Sequence, residues 1–177
     1  PEEGILKRSQ TDRIHYDLWQ DQGFLTATPG NVIDYAWIEK DILDAAKEYQ
    51  LCQIGFDSWN AQATATRIMD ELNPTGNEDG FQMVEVRQGA KSFNEPAKDL
   101  LVHVMTEKVR HGGHPVLRWC ADNLVMRSDP NGNVAPDKEK ATEKIDGMVA
   151  LIMAWGRAMF GNDETQSVYE TRGVVCL

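Results

Sequence analysis

Much of what would classify a chain at a glance is missing from these 177 residues. No apolar run approaches the roughly 18 residues a membrane-spanning helix needs. The longest candidate, residues 148–155, has the length of a buried helix. The N-terminus, Pro1-Glu2-Glu3-Gly4, is acidic and lacks the layout of a signal peptide. It also lacks an initiator Met, which reads as a piece of a longer chain. No G-x-x-x-x-G-K-S/T phosphate loop occurs, so ATP hydrolysis through such a loop is not expected. Cysteine is scarce: Cys52, Cys120 and Cys176 are odd in number and widely spaced. They argue for a reducing compartment with free or buried thiols and against a disulfide framework. Positive charge is short as well, with 18 Lys/Arg against 28 Asp/Glu and a net charge of -10. A polyanion is repelled by such a chain at long range, which argues against indiscriminate nucleic-acid binding. Internal repeats and low-complexity segments are absent too.

What is present, 41% hydrophobic and 26% charged residues, is the composition of a folded soluble protein with one sizeable core. The charge is unevenly spread. Residues 1–80 hold 15 acids against 6 Lys/Arg, while residues 81–160 hold 10 against 11. Three of the four histidines (His103, His111, His114) share that second block, so a basic face on an acidic protein is compatible with the sequence.

Taken in order, residues 1–10 read as a strand end or an extended arm. Thr11 or Asp12 is expected to cap a helix through Leu18 and Trp19 that Gly23 ends. Pro29-Gly30-Asn31 is a turn, and Asp34 starts an amphipathic helix running to about Tyr49. A short strand at 53–57 leads into a helix at about 60–72, with Ser58 as its N-cap. A second strand spans 81–86, and Pro96 opens the next helix. Gly112-Gly113 interrupts the chain and Pro115 restarts it as a short helix. A strand at 124–127 is followed by the hairpin-type turn Asp129-Pro130-Asn131-Gly132-Asn133. The last helix is expected over about 140–159, and residues 161–177 read as a tail. The βαβα alternation implies an α/β domain with a parallel or mixed sheet covered by helices.

Chemistry centres on Gln53-Ile54-Gly55-Phe56-Asp57-Ser58-Trp59-Asn60-Ala61. Asp57 sits where an apolar strand stops, at the rim where open α/β sheets bind ligands. It could equally cap the following helix. Asp146, in Lys144-Ile145-Asp146-Gly147-Met148, is a charge near the start of a helix that is apolar almost all round. Such a charge needs an ion pair, the helix N-terminus or a metal. With Asp57 it could share a divalent cation, because Mg²⁺ and Mn²⁺ prefer carboxylate oxygens. Arg87, Lys91, Arg118, Lys138 and Lys144 are candidates for phosphate contacts, or plain solvated charge. His111, His114 and Cys120 fit no structural zinc spacing. The five tryptophans are expected in or near the core.

Several of these segments, taken together and in order, resemble one known family. They are Thr28-Pro29-Gly30-Asn31, residues 53–61, Gln88-Gly89, His111-Gly112-Gly113-His114-Pro115-Val116-Leu117-Arg118-Trp119, Asn123, Pro136-Asp137-Lys138 and Lys144-Ile145-Asp146-Gly147. Over roughly residues 1–160 the chain resembles the C-terminal nuclease domain of bacteriophage terminase large subunits. The resemblance implies an RNase H-like mixed sheet flanked by helices and a metal-dependent endonuclease that cuts concatemeric viral DNA during packaging. It implies two Mg²⁺ or Mn²⁺ ions held by an acidic cluster in which Asp57 is the strand-end acid and Asp146 the acid of the last helix. It further implies double-stranded DNA, a terminase small subunit and a portal protein as partners, in the host cytoplasm and with no membrane. The family's third acid comes from the fold's first strand. No strand–Asp in residues 1–28 matches it, so the chain is expected to begin after that strand and to lack part of the cluster. The rival expectations are another RNase H-like nuclease, such as a junction resolvase or integrase-type recombinase, and a catalytically silent DNA-binding or assembly module.

Overall fold

The structure, a computed structural model, describes residues 1–59 and 61–160. It opens on helices, not on an extended arm. A single 3-10 turn, Glu2–Gly4, runs into α1 (Ile5–Asp12) and then α2 (Tyr16–Asp21). Leu6, Lys7, Arg8 and Gln10 are strong helix formers, and Glu2 and Glu3 complement the helix dipole at its start. Arg13 ends α1 in the left-handed conformation at φ 57°, its N–H donating to the Ser9 carbonyl. The expected cap at Thr11 or Asp12 therefore falls inside α1, and His15 precedes α2. Edge-on contacts of Tyr16 with Trp19 (5.8 Å) and Trp119 (6.0 Å) tie these helices to the later chain.

Helix α3 (Tyr35–Glu48) starts where expected, with the Asp34 carboxylate accepting the Ala36 N–H at 2.9 Å. It packs on α4 (Gln62–Leu72). Between them runs β1 (Gln53–Phe56), which pairs in parallel with β2 (Gln82–Glu85), with Phe56 opposite Glu85 in register. The later hairpin, β3 (Met126–Ser128) and β4 (Val134–Pro136), is antiparallel around the expected turn, where Asp129 accepts the N–H groups of Asn131 and Asn133. The α/β class is as expected. Among the described residues, however, the parallel and antiparallel strands form two separate two-stranded sheets.

Two helices differ from expectation in instructive ways. Helix α5 (Ala90–Met105) carries Pro96 in its interior, not at its first turn. Proline there forgoes a backbone hydrogen bond. It survives because it is buried against Gly156, where a Cβ would stand only 2.9 Å from Pro96 Cγ. Helix α6 (Pro115–Asp122) begins with its proline as expected. Helix α7 (Asp146–Phe160) starts later than the expected residue 140, because the preceding segment is held in a turn by Asp137. That carboxylate is buried and accepts the N–H groups of Glu139 (3.1 Å) and Lys140 (3.2 Å).

The core joins Phe93 and Leu100 of α5, Ala135 of β4, and Ile145, Val149 and Ile152 at α7. Burying each large side chain of this kind contributes about 1.5–3 kcal/mol. The expected tail, residues 161–177, lies outside the described residues.

Candidate active site

The two carboxylates singled out in the sequence sit on the two partners of one helix–strand contact, Asp57 just after β1 and Asp146 at the start of α7. Asp57 follows β1 directly, is exposed, and accepts the Trp59 N–H at 3.1 Å through Oδ1. That bond folds the chain back after the strand. It leaves the rest of the carboxylate to solvent. Ser58 does not cap α4, which starts only at Gln62; its hydroxyl donates to Glu85 Oε1 at 2.8 Å. Glu85 ends β2 in register with Phe56, so this bond ties the turn that carries Asp57 to the neighbouring strand. Sequence reasoning passed over Glu85. The signal was available only once the parallel register made its strand end adjacent to that of Asp57.

Helix α7 crosses β1. Near its C-terminal end Arg157 donates from Nε to Gln53 Oε1 at 2.9 Å, and its Cγ lies 3.4 Å from where a Cβ on Gly55 would stand. One turn earlier, Met153 Sδ accepts from Gln88 Nε2 at 3.6 Å, just beyond the carboxyl end of β2. The helix thus runs against the strand direction, which brings its N-terminus to the side of the sheet's carboxyl edge, where Asp57 lies. Asp146 opens that helix. Its side chain is 70% exposed and its Oδ1 lies 3.0 Å from Lys138 Nζ, itself 61% exposed. Two of the three supports expected for this charge, an ion pair and the helix N-terminus, are present, and the side chain is solvated as well. An exposed pair of this kind contributes about 0–1 kcal/mol.

Arg87 and Lys91 flank the Gln88-Gly89 turn between β2 and α5, and Lys144 precedes α7. All three are exposed and form no ion pair among the described residues. Arg118 lies on α6, whose Leu117 and Cys120 pack on Gly147 at the start of α7, and it lines a cavity against α5. The remaining motif residues act structurally. Gly112 and Gly113 both adopt positive φ (64° and 71°), a conformation most side chains resist. Asn123 accepts the Thr142 hydroxyl at 3.1 Å and donates to the Trp119 carbonyl at 2.9 Å, which joins α6 to the chain before α7. His114 packs its ring edge-on to Phe24, with Nδ1 buried and without a hydrogen-bond partner among the described residues, and Cys120 is buried. Among the tryptophans, Trp59 and Trp37 depart from the expected core position: Trp59 is 83% exposed beside Asp57, and Trp37 on α3 is exposed as well.

Among the described residues no three His, Cys, Asp or Glu side chains converge on one point. The donor chemistry nonetheless fits a hard divalent cation. Both acids are exposed carboxylates with open lone pairs, and Mg²⁺ is commonly held by one or two carboxylates with water and substrate phosphate completing its shell.

A parallel strand pair, an antiparallel hairpin and the helices packed on them make a mixed α/β domain. Comparison with known proteins gives the family. The terminase large subunit, endonuclease domain, matches residues 1–162, and the chain belongs to that family. It is 38% identical over 161 residues to the terminase large subunit of Enterobacteria phage HK97, covering 89% of this chain and 30% of that protein. It is 34% identical over 152 residues to protein YmfN of Escherichia coli K12, covering 84% and 31%. The crystal structure of the HK97 bacteriophage large terminase superposes with a TM-score of 0.73 at 36% identity, covering 87% of this chain and 31% of that one. The chain therefore spans about three tenths of the length of these relatives.

Proposed function

We propose that the chain contributes the cutting site of a phage terminase, a metal-dependent endonuclease that cleaves concatemeric DNA during genome packaging. Membership of the terminase endonuclease-domain family supports the reaction class. The observation that supports the assignment of residues is the packing of α7 against β1, with the helix running opposite to the strand, so that the helix end bearing Asp146 and the strand end bearing Asp57 point the same way. In this reading Asp57 and Asp146 hold Mg²⁺ or Mn²⁺, two ions in the complete protein. Such ions supply a water nucleophile at neutral pH and stabilise both the attacking and the leaving oxygen. Lys138, ion-paired with Asp146 at 3.0 Å, would be free to contact phosphate if that carboxylate held a cation. Arg87, Lys91 and Lys144 contact phosphates and set the duplex without reading its sequence. Arg118, on α6 beside the start of α7, is a further candidate for phosphate contact and also lines a cavity against α5. DNA, a small subunit and a portal protein as partners, and the host cytoplasm as setting, belong to the same proposal. No helix among the described residues is long and apolar enough to cross a membrane.

The test is plasmid cleavage by the longer parent protein with Mn²⁺, Mg²⁺ or EDTA. Asp57→Asn and Asp146→Asn each lower the rate to below about one hundredth, a larger loss than the 10- to 100-fold typical of disturbing a ligand's supporting partner. Both variants keep the parent's circular dichroism and melting temperature. Undiminished cleavage by either removes its assignment, and a preference for four-way junctions over linear duplex replaces the terminase reading with a resolvase one.

A further inference from the structure

A cavity of about 630 Å³ lies between α5, α6, α7 and the β3–β4 hairpin. Neither Asp57 nor Asp146 lines it, and neither do Arg87, Lys91, Lys138 or Lys144. Its walls are aliphatic: Leu101 and Val104 from α5, Val109 from the following loop, Leu117 from α6, Leu124, and Met148 from α7. The apolar surface continues outward, since Leu101, Val102 and Val104 are exposed and Met105 is 76% exposed. Contiguous exposed apolar surface of this kind marks a docking face more often than bare solvent contact.

The rim states what the occupant must look like. The polar side chains on the lining are Lys98, His111 and Arg118, and no acid lines it. Lys98 Nζ is steadied by the Gly132 carbonyl at 3.1 Å, while Arg118 has no side-chain partner among the described residues. Lys108 and Arg110, both exposed, flank Val109, and exposed Arg127 follows Met126 of the lining. Asp99 of α5 is engaged on another face, accepting the Trp155 indole N–H at 2.8 Å, and Glu107 and Asp122 do not line the cavity. Residues 97–127 thus carry five Lys/Arg against three acids in a chain whose net charge is -10.

A nucleic acid suits this surface poorly, because aliphatic walls offer bases neither an aromatic platform nor hydrogen-bond partners. A helix with leucine-type side chains at i, i+3, i+4 and i+7 and carboxylates on its flanks suits both the walls and the rim. We propose that this groove docks an acidic amphipathic helix of a protein partner, its apolar side chains filling the cavity and its carboxylates meeting Lys98, Arg110 and Arg118. The proposal does not rest on the cleavage reading, and Arg118 is the one residue the two share.

The test is fluorescence anisotropy of the full chain with a labelled model helix about 18 residues long, long enough to be helical in water. One version has Leu at the four anchor positions and Glu on the flanks; a second has Lys in place of Glu. The Glu peptide is expected to bind, and the Lys peptide to bind about tenfold more weakly or worse. Leu101→Glu and Arg110→Glu, both at exposed positions and so compatible with folding, each weaken the Glu peptide by a similar factor without changing the melting temperature. Equal binding of the two peptides, or undiminished binding by Leu101→Glu, overturns the proposal. So does concentration-dependent self-association that Leu101→Glu abolishes, which would give the groove to a second copy. Binding by this chain but not by the longer parent protein would assign the groove to the parent's own segment and overturn it too.

Discussion

Residues 1–50 and residues 90–160 are held together in different ways. In the first stretch only Thr28 is buried, and the helices are satisfied mainly within themselves. Asp34 caps α3, and Asp44 is gripped by Lys40 (2.9 Å) and Lys47 (2.6 Å) on the same helix, which holds its carboxyl down at a pKa of about 2. In the second stretch Phe93, Leu100, Ala135, Ile145, Val149 and Ile152 pack into one core, and its helices tolerate an internal proline because tertiary contact outweighs local preference. The candidate site straddles the two regimes. Asp57 is positioned by a strand end and its own turn, Asp146 by a helix anchored in the core. One acid therefore owes its place to local chemistry and the other to packing at a distance.

That contrast can be broken by mutation. The largest effect is expected from Ile152→Ala, a 2% exposed core residue, at about 2–5 kcal/mol of destabilisation by urea unfolding. Ile33→Ala, in the exposed N-terminal stretch, should change stability by less than about 0.5 kcal/mol in the same assay. Similar losses at both sites would show that the first fifty residues are packed more tightly than their exposure implies. Gly156→Ala comes next. Its new methyl group meets Pro96 Cγ at 2.9 Å, and overpacking of this kind costs about 1–3 kcal/mol, read as a lower urea midpoint. Lys138→Ala should cost at most about 1 kcal/mol, because both partners of its ion pair are mostly solvated. A larger loss would mean that Asp146 is held by packing and charge together.

The smallest effect is read by alkaline titration. Tyr16 is pushed from 10.0 up to about 12, first by burial in the seam between α2 and Trp119 and then by its hydrogen bond to Asp12. A phenol whose folded-state pKa is raised stabilises the fold below its unfolded pKa. Its contribution is therefore complete below pH 10 and is lost as the pH rises toward 12. Ultraviolet titration should place the Tyr16 phenolate midpoint near 12, and Tyr16→Phe should flatten the stability profile across that window. A midpoint near 10 would show that the seam admits water.

Those same differences explain what the sequence made legible. Features fixed within a few residues could be read directly: the Asp34 cap, the Asp129 turn, Pro115 at a helix start, and a strand ending at Asp57. Features decided by distant partners could not. Pro96 reads as a helix start until Gly156 is seen to receive it. The start of α7 reads six residues early until Asp137 is found buried and holding the preceding turn. That the Asp146 charge needs an ion pair or a helix N-terminus is legible in the sequence, but that Lys138 supplies the pair is not. Ser58 has the composition of a cap, yet its hydroxyl is claimed by Glu85, a partner 27 residues away.

The contact of Pro96 with Gly156 also bears on how such a domain can change over generations. A proline inside a helix is a liability in isolation, and so is a glycine, which costs about 1 kcal/mol relative to alanine. Set face to face, the bare Gly156 backbone gives the Pro96 ring room, and the close packing offsets part of both costs. Substitutions at the two positions are therefore order-dependent. A lineage that first replaces Pro96 can later gain alanine at 156 freely, whereas the reverse order passes through a clash. One close approach between two helices thus works as a ratchet on the paths open to the sequence.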